Sequence, residues 1–116
     1  MRSASLSTVT WQVRDPIDLP AGRVTAHGAA AAQVRSVARA ASLGDLSAQE
    51  AAVQAAVVDA LTTVLQAIQP DGSNLMTWRD EIASATLVAA NGRLAGQGIV
   101  LLDVTIDSLL HLGPTD

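Results

Sequence analysis

Thr8-Val9-Thr10-Trp11-Gln12-Val13-Arg14-Asp15-Pro16 is the stretch on which the fold turns. Val9, Trp11 and Val13 fall on one side, and Thr8, Thr10, Gln12 and Arg14 on the other. A period of two with β-branched and aromatic members predicts a half-buried strand, here over residues 6–14. Pairing stops at Asp15-Pro16, because the proline ring has no N–H to give to a ladder. One strand is not stable alone in water, so the rest of the chain must supply its partners.

Pro20-Ala21-Gly22 reads as a turn, with Arg23-Val24-Thr25-Ala26 as a second short strand behind it. The other long candidate lies near the end of the sequence. Ile99 to Ile106 sets Val100, Leu102, Val104 and Ile106 on an apolar face, with Asp103 and Thr105 opposite.

Helical signals fill the space between. In residues 29–42 the four consecutive alanines and the pair Arg35, Arg39 favour a helix with Val34, Val37, Ala38 and Ala41 inward. Alternation of Val34, Ser36, Ala38 and Ala40 also fits a strand there. Ser47-Ala48-Gln49-Glu50 has the form of a capping box, and Val53, Val57, Leu61, Val64 and Ile68 follow at helical spacing up to Pro70. Asp71-Gly72-Ser73-Asn74 is a tight connection into a helix over about 75–95. Leu75, Trp78, Ile82, Ala85 and Ala89 face inward on it, with Asp80 and Glu81 at its start. Gly96 and Gly98 suit the positive φ that follows helix ends. The expected fold is therefore α+β: a small sheet that includes the N- and C-terminal strands, packed on a helical hairpin.

The composition sets limits on function. The 116 residues make one domain, and 49% are hydrophobic, with two Trp and neither Phe nor Tyr. Such a core is lean and mostly aliphatic. The absence of cysteine excludes a disulfide framework and thiolate chemistry. All seven basic residues are Arg, a usage that fits a GC-rich bacterial genome. The formal charge of −4 argues against a protein that tracks nucleic-acid phosphates. Charge is uneven along the chain: residues 1–39 carry five Arg and two Asp, and residues 40–116 carry two Arg and nine acids. Such opposition steers copies of a chain towards head-to-tail contact, although two solvated faces that merely differ would give the same count. No signal peptide or spanning segment is read; the longest strongly apolar run is Ile99–Leu102, against about 18–20 residues for a membrane helix. The expected location is the bacterial cytoplasm.

No residue set reads as a catalytic or metal centre. His27 and His111, without cysteine, make at most a partial metal site. Asp107, Ser108 and His111 are the residue types of a nucleophilic triad, but they crowd into five residues with no oxyanion hole in view. Gly96-Gln97-Gly98 follows a helix and opens a strand, the reverse of a phosphate loop. Asp103 and Asp107 fit solvated charges on a sheet face better than a paired acid and base. Trp11 and Trp78 fit the core. The expectation is no enzyme and no cofactor.

Three segments together resemble the stomatin/prohibitin/flotillin (SPFH, band 7) superfamily. These are Val9-Thr10-Trp11-Gln12-Val13-Arg14-Asp15-Pro16, then Trp78-Arg79-Asp80-Glu81-Ile82, then Leu94-Ala95-Gly96-Gln97-Gly98-Ile99 with Val104-Thr105-Ile106-Asp107-Ser108-Leu109. The family pattern has a strand of the form V-x-Y-R-V-x-D-P, a helix with R-x-x-I, and G-I-x-V leading into V-x-I-x-x-I. The soluble bacterial branch described as virion-core-like is the most similar. The resemblance covers roughly residues 6–112. Trp11 stands where the family has Tyr or Phe and Gln12 where it has Arg. The family's membrane anchor, opening strands and C-terminal coiled coil have no counterpart here, as in a minimal or truncated domain over 1–116.

The resemblance implies a non-enzymatic scaffold that forms homo-oligomers, with any membrane contact peripheral and made through a partner. Trp11, Arg14 and Asp15 near a sheet edge, and Arg35 and Arg39 as partners for the acids of a neighbouring copy, are the interface residues it suggests. A structural subunit of a phage or other bacterial particle is the alternative, and a small-ligand-binding domain a second one.

Overall fold

The computed structural model describes residues 8–19, 22–68 and 77–112, without the side chain of His111. The readings of Leu6 as a strand residue, of Pro20-Ala21 as a turn, and of Pro70 to Leu75 as a helix stop and connection lie outside these residues. The elements run β1 (Thr8–Gln12), β2 (Ile17–Leu19), β3 (Gly22–Val34), α1 (Val37–Ala41), α2 (Leu46–Ile68), α3 (Arg79–Leu94) and β4 (Ile99–His111). The fold is α+β.

One antiparallel sheet holds all four strands, with β3 at its centre. β1 and β2 lie along one side of β3 and β4 along the other. β1 and β2 act as a single interrupted edge strand. The Val13 N–H donates to the Ala26 carbonyl, and Ile17 pairs with Val24. Arg14, Asp15 and Pro16 therefore loop out opposite Thr25 alone. Pairing is lost at Pro16, as its missing donor requires, but it resumes at once in β2, which the periodicity did not reveal.

β3 corrects the helical reading of residues 29–42. It runs unbroken through Ala29-Ala30-Ala31-Ala32 to Val34, and only Val37–Ala41 is helical. The helix preference of alanine yields to position. Val24, Ala26, Ala30, Ala32 and Val34 are all buried on one face of β3, and the small ones leave room for bulkier neighbours. Val9, Trp11 and Val13 on the interrupted strand, and Ile99, Leu101, Val104, Ile106 and Leu109 on β4, supply that bulk.

β4 also departs from a clean alternation. Its register against β3 shifts twice, so that Leu102 and Asp107 are extra residues without partners. Each bulge moves the buried set by one position. Val104 and Ile106 are buried as expected, but Val100 is half-exposed and Leu102 is 56% exposed. Leu101 takes the core position instead.

The helices cover one face of the sheet, with Val53, Val57, Leu61 and Leu65 of α2 and Ile82, Ala90 and Leu94 of α3 buried among the strand residues. The inward stripe of α3 is Ile82, Thr86, Ala90 and Leu94, and Trp78, Ala85 and Ala89 flank it, partly buried. The cap of α2 also differs from the sequence reading. The Ala48 N–H donates to Asp45 Oδ1 at 3.0 Å, so Asp45 holds the first turn and Ser47 lies inside the helix. α1 is capped by Ser36, whose hydroxyl accepts from the Arg39 N–H at 3.3 Å. Gly98 has φ 78°, and a Cβ there would strike the Ser36 carbonyl oxygen, so glycine is required between α3 and β4.

Contrary to the reading that no segment is long and apolar enough to span a bilayer, α2 meets that test by length and composition. Its buried face packs on the sheet, the ordinary use of such a helix in a core.

Candidate functional site

The interruption of the edge strand creates a concavity. A cleft of about 1000 Å³ opens where Arg14-Asp15-Pro16 loops away from β3. One wall is the strand segment from Thr10 to Asp15 with Ile17. The other is the face of α2 carrying Ala51, Gln54, Ala55, Val58 and Thr62, and His27, Gly28 and Asp107 complete it.

Trp11 anchors this region. Only 3% of it is exposed, and it pairs with Gly28 across the sheet. A Cβ on Gly28 would lie 2.8 Å from Trp11 Cζ2 and would overlap the Thr105 carbonyl oxygen of β4. Glycine at 28 thus lets the indole and β4 crowd the central strand from both sides. The indole N–H of Trp11 is buried and has no acceptor among the described residues.

Register sets the polar groups beside it. Gln12 stands opposite His27, His27 opposite Ser108, and the bulged Asp107 sits next to Ser108. The row therefore gathers residues that are far apart in sequence, and no reading of Asp107, Ser108 and His111 as neighbours finds it. His111 pairs with Val24, three positions from His27 along β3. No hydrogen bond joins His27, Ser108 and Asp107 among the described residues, so the row lacks a nucleophile held by a base. Among the described residues no three His, Cys, Asp or Glu side chains converge as metal ligands.

Both outer strands receive a carboxamide from a helix. Gln54 Nε2 donates to the Thr10 carbonyl at 2.8 Å. Asn91 of α3 bonds Leu101 twice: its Nδ2 donates to the Leu101 carbonyl at 3.0 Å and its Oδ1 accepts from the Leu101 N–H at 2.7 Å. Each amide does at one residue what a further strand would do along a whole edge. Nothing in the residue types of Gln54 or Asn91 signals this.

Of the residues suggested as an interface, Trp11, Arg14 and Asp15 come together at the cleft. Arg14 and Asp15 are exposed, whereas Trp11 belongs to the core and offers almost no surface. Arg35 and Arg39 are exposed at the far end of β3. Arg35 lies nine residues beyond Ala26, the partner of Val13, so about 30 Å of extended chain separates the two groups. No protein-family model matches the chain, and no curated protein is significantly similar to it in sequence.

Proposed function

We propose that the protein is a non-enzymatic scaffold whose copies associate with one another. The uncovered face of the sheet is the observation that carries this reading. Away from the helices, Thr8, Thr10, Gln12, His27, Gln33, Asp103 and Thr105 are exposed, and Ala29 and Ala31 are half-exposed between them. Beside these residues, β4 and its end expose Leu102 (56%), Leu110 (55%) and Leu112 (44%). A polar sheet face with alanines at its centre and an apolar border offers a second copy a surface to pack against.

The amide caps support a face rather than an edge as the contact. Gln54 and Asn91 occupy strand-edge groups at Thr10 and Leu101 that edge-to-edge pairing would need. The charge division between residues 1–39 and 40–116 favours ordered approach of one copy to the next. Arg14, Arg35 and Arg39 are the cations that such an approach would set against acids of the neighbour.

Sedimentation velocity on the wild type and on Leu110→Lys tests the proposal. The wild type is expected to sediment as an oligomer and the variant to shift towards monomer while keeping its melting temperature. An unchanged distribution in the variant, or a monomeric wild type, counts against it.

A further inference from the structure

We propose that His27 and Asp107 form half of a zinc site, completed by the same two residues of a second copy packed on the uncovered sheet face. The inference rests on the self-association proposed above and names the ion that ties the centre of that contact.

His27 lies near the middle of the central strand. β3 runs from Gly22 to Val34, and His27 is exposed on the side away from the helices. Its partner across the sheet is Ser108, and the next pair is Gly28 with Ile106, so Asp107 is the extra residue of a bulge. In a regular strand Asp107 and Ser108 would point to opposite faces. The bulge relaxes that alternation: Asp107 is exposed and Ser108 half-exposed, both beside one histidine. His27 and Asp107 also border the same cleft.

The donor set fixes the class of ion. An imidazole nitrogen and a carboxylate oxygen both bind zinc at about 2.0–2.2 Å, and four such donors complete a tetrahedron. Imidazole favours zinc over calcium or magnesium, which take oxygen ligands. Among the described residues no three His, Cys, Asp or Glu side chains converge within one chain, so a single copy offers two ligands. The second pair must come from a neighbour. In a two-fold contact the same patch meets itself. An axis through the middle of β3 sets His27 and Asp107 against their own counterparts. Sheets packed face to face lie about 10 Å apart, which leaves an ion midway about 5 Å from each, within reach of both side chains.

Charge supplies a separate argument. The same contact without a cation brings two Asp107 carboxylates together as water is excluded, which costs free energy through repulsion and desolvation. Arg14 and Asp15 border the cleft with one charge of each sign and cancel. The one ion pair among the described residues joins Arg79 to Asp80, so no arginine is committed to Asp107. A divalent ion held by two carboxylates and two neutral imidazoles balances to zero, and the contact then closes without an unpaired charge.

Sedimentation equilibrium of the full chain, first with a chelator and then with zinc chloride, tests the inference. Zinc is expected to lower the dissociation constant of the pair about tenfold or more, with saturation at one ion for every two chains. Cobalt(II) in place of zinc is expected to give the intense visible absorption of tetrahedral coordination. His27→Gln and Asp107→Asn alter exposed side chains, so both keep the melting temperature of the wild type, and both lose the zinc effect. With chelator present, Asp107→Asn associates at least as tightly as the wild type, because a like-charge pair is gone. Association that zinc and chelator leave unchanged, or a zinc response that survives in His27→Gln, overturns the inference and leaves the sheet-face contact standing. Weaker association of Asp107→Asn in chelator also overturns it. A chain that stays monomeric with and without zinc overturns both the site and the self-association on which it rests.

Discussion

The side chain of Asn91 and the backbone of Leu101 form a closed pair, with the carboxamide donating to the carbonyl and accepting from the N–H. A helix thereby does the work of a neighbouring strand at one position of a 13-residue edge. Asn91→Ala leaves both groups of Leu101 without partners in a half-buried place. The expected cost is about 1–3 kcal/mol, read from urea denaturation. The freed edge is also expected to increase turbidity on standing, an effect that a purely internal contact would not have.

Gly28→Ala forces its methyl against the Thr105 carbonyl and the Trp11 ring. The clash involves backbone on one side, so it cannot be relieved by a rotamer change. A loss of about 3 kcal/mol is expected, with a fall in melting temperature. Near wild-type stability would mean that β4 does not approach β3 so closely at the bulge.

Thr86 is fully buried on α3 and its hydroxyl has no partner among the described residues. Valine keeps the shape and removes the polar atom. Thr86→Val is expected to stabilise the protein by about 1 kcal/mol, since it removes the desolvation cost of a buried hydroxyl without a partner. Thermal melting checks the sign directly; a lower melting point would show that the hydroxyl is bonded in solution.

The two caps of α2 separate cleanly by mutation. Asp45→Ala is expected to cost about 1 kcal/mol, because the Ala48 N–H loses its acceptor. Ser47→Ala lies within the helix and should change stability by less than about 0.5 kcal/mol. The reverse order would restore the capping-box reading of Ser47 and Glu50.

The amino-acid order carries some elements of the fold openly and conceals others. Val9, Trp11 and Val13 announce the first strand, and Val53 to Val64 announce the long helix, because each pattern repeats a single period. Residues 29–34 mislead because four alanines favour a helix locally, while the alternate burial of Ala30, Ala32 and Val34 against the helical layer decides for a strand. The bulges at Leu102 and Asp107 break the period of β4, so the alternation read from Val100 onwards falls out of phase. The cleft is the least legible part. Arg14 and Asp15 are visible as charges next to Pro16, but Ala55 and Gln54 join them only through the crossing of α2 over β1.

Light scattering across protein concentration at low and high salt tests the proposed association of copies through the uncovered sheet face. At low salt a mass of several chains is expected, with a shift towards smaller species at high salt as attraction between opposite charges is screened. A single-chain mass at low salt and high protein concentration would contradict it.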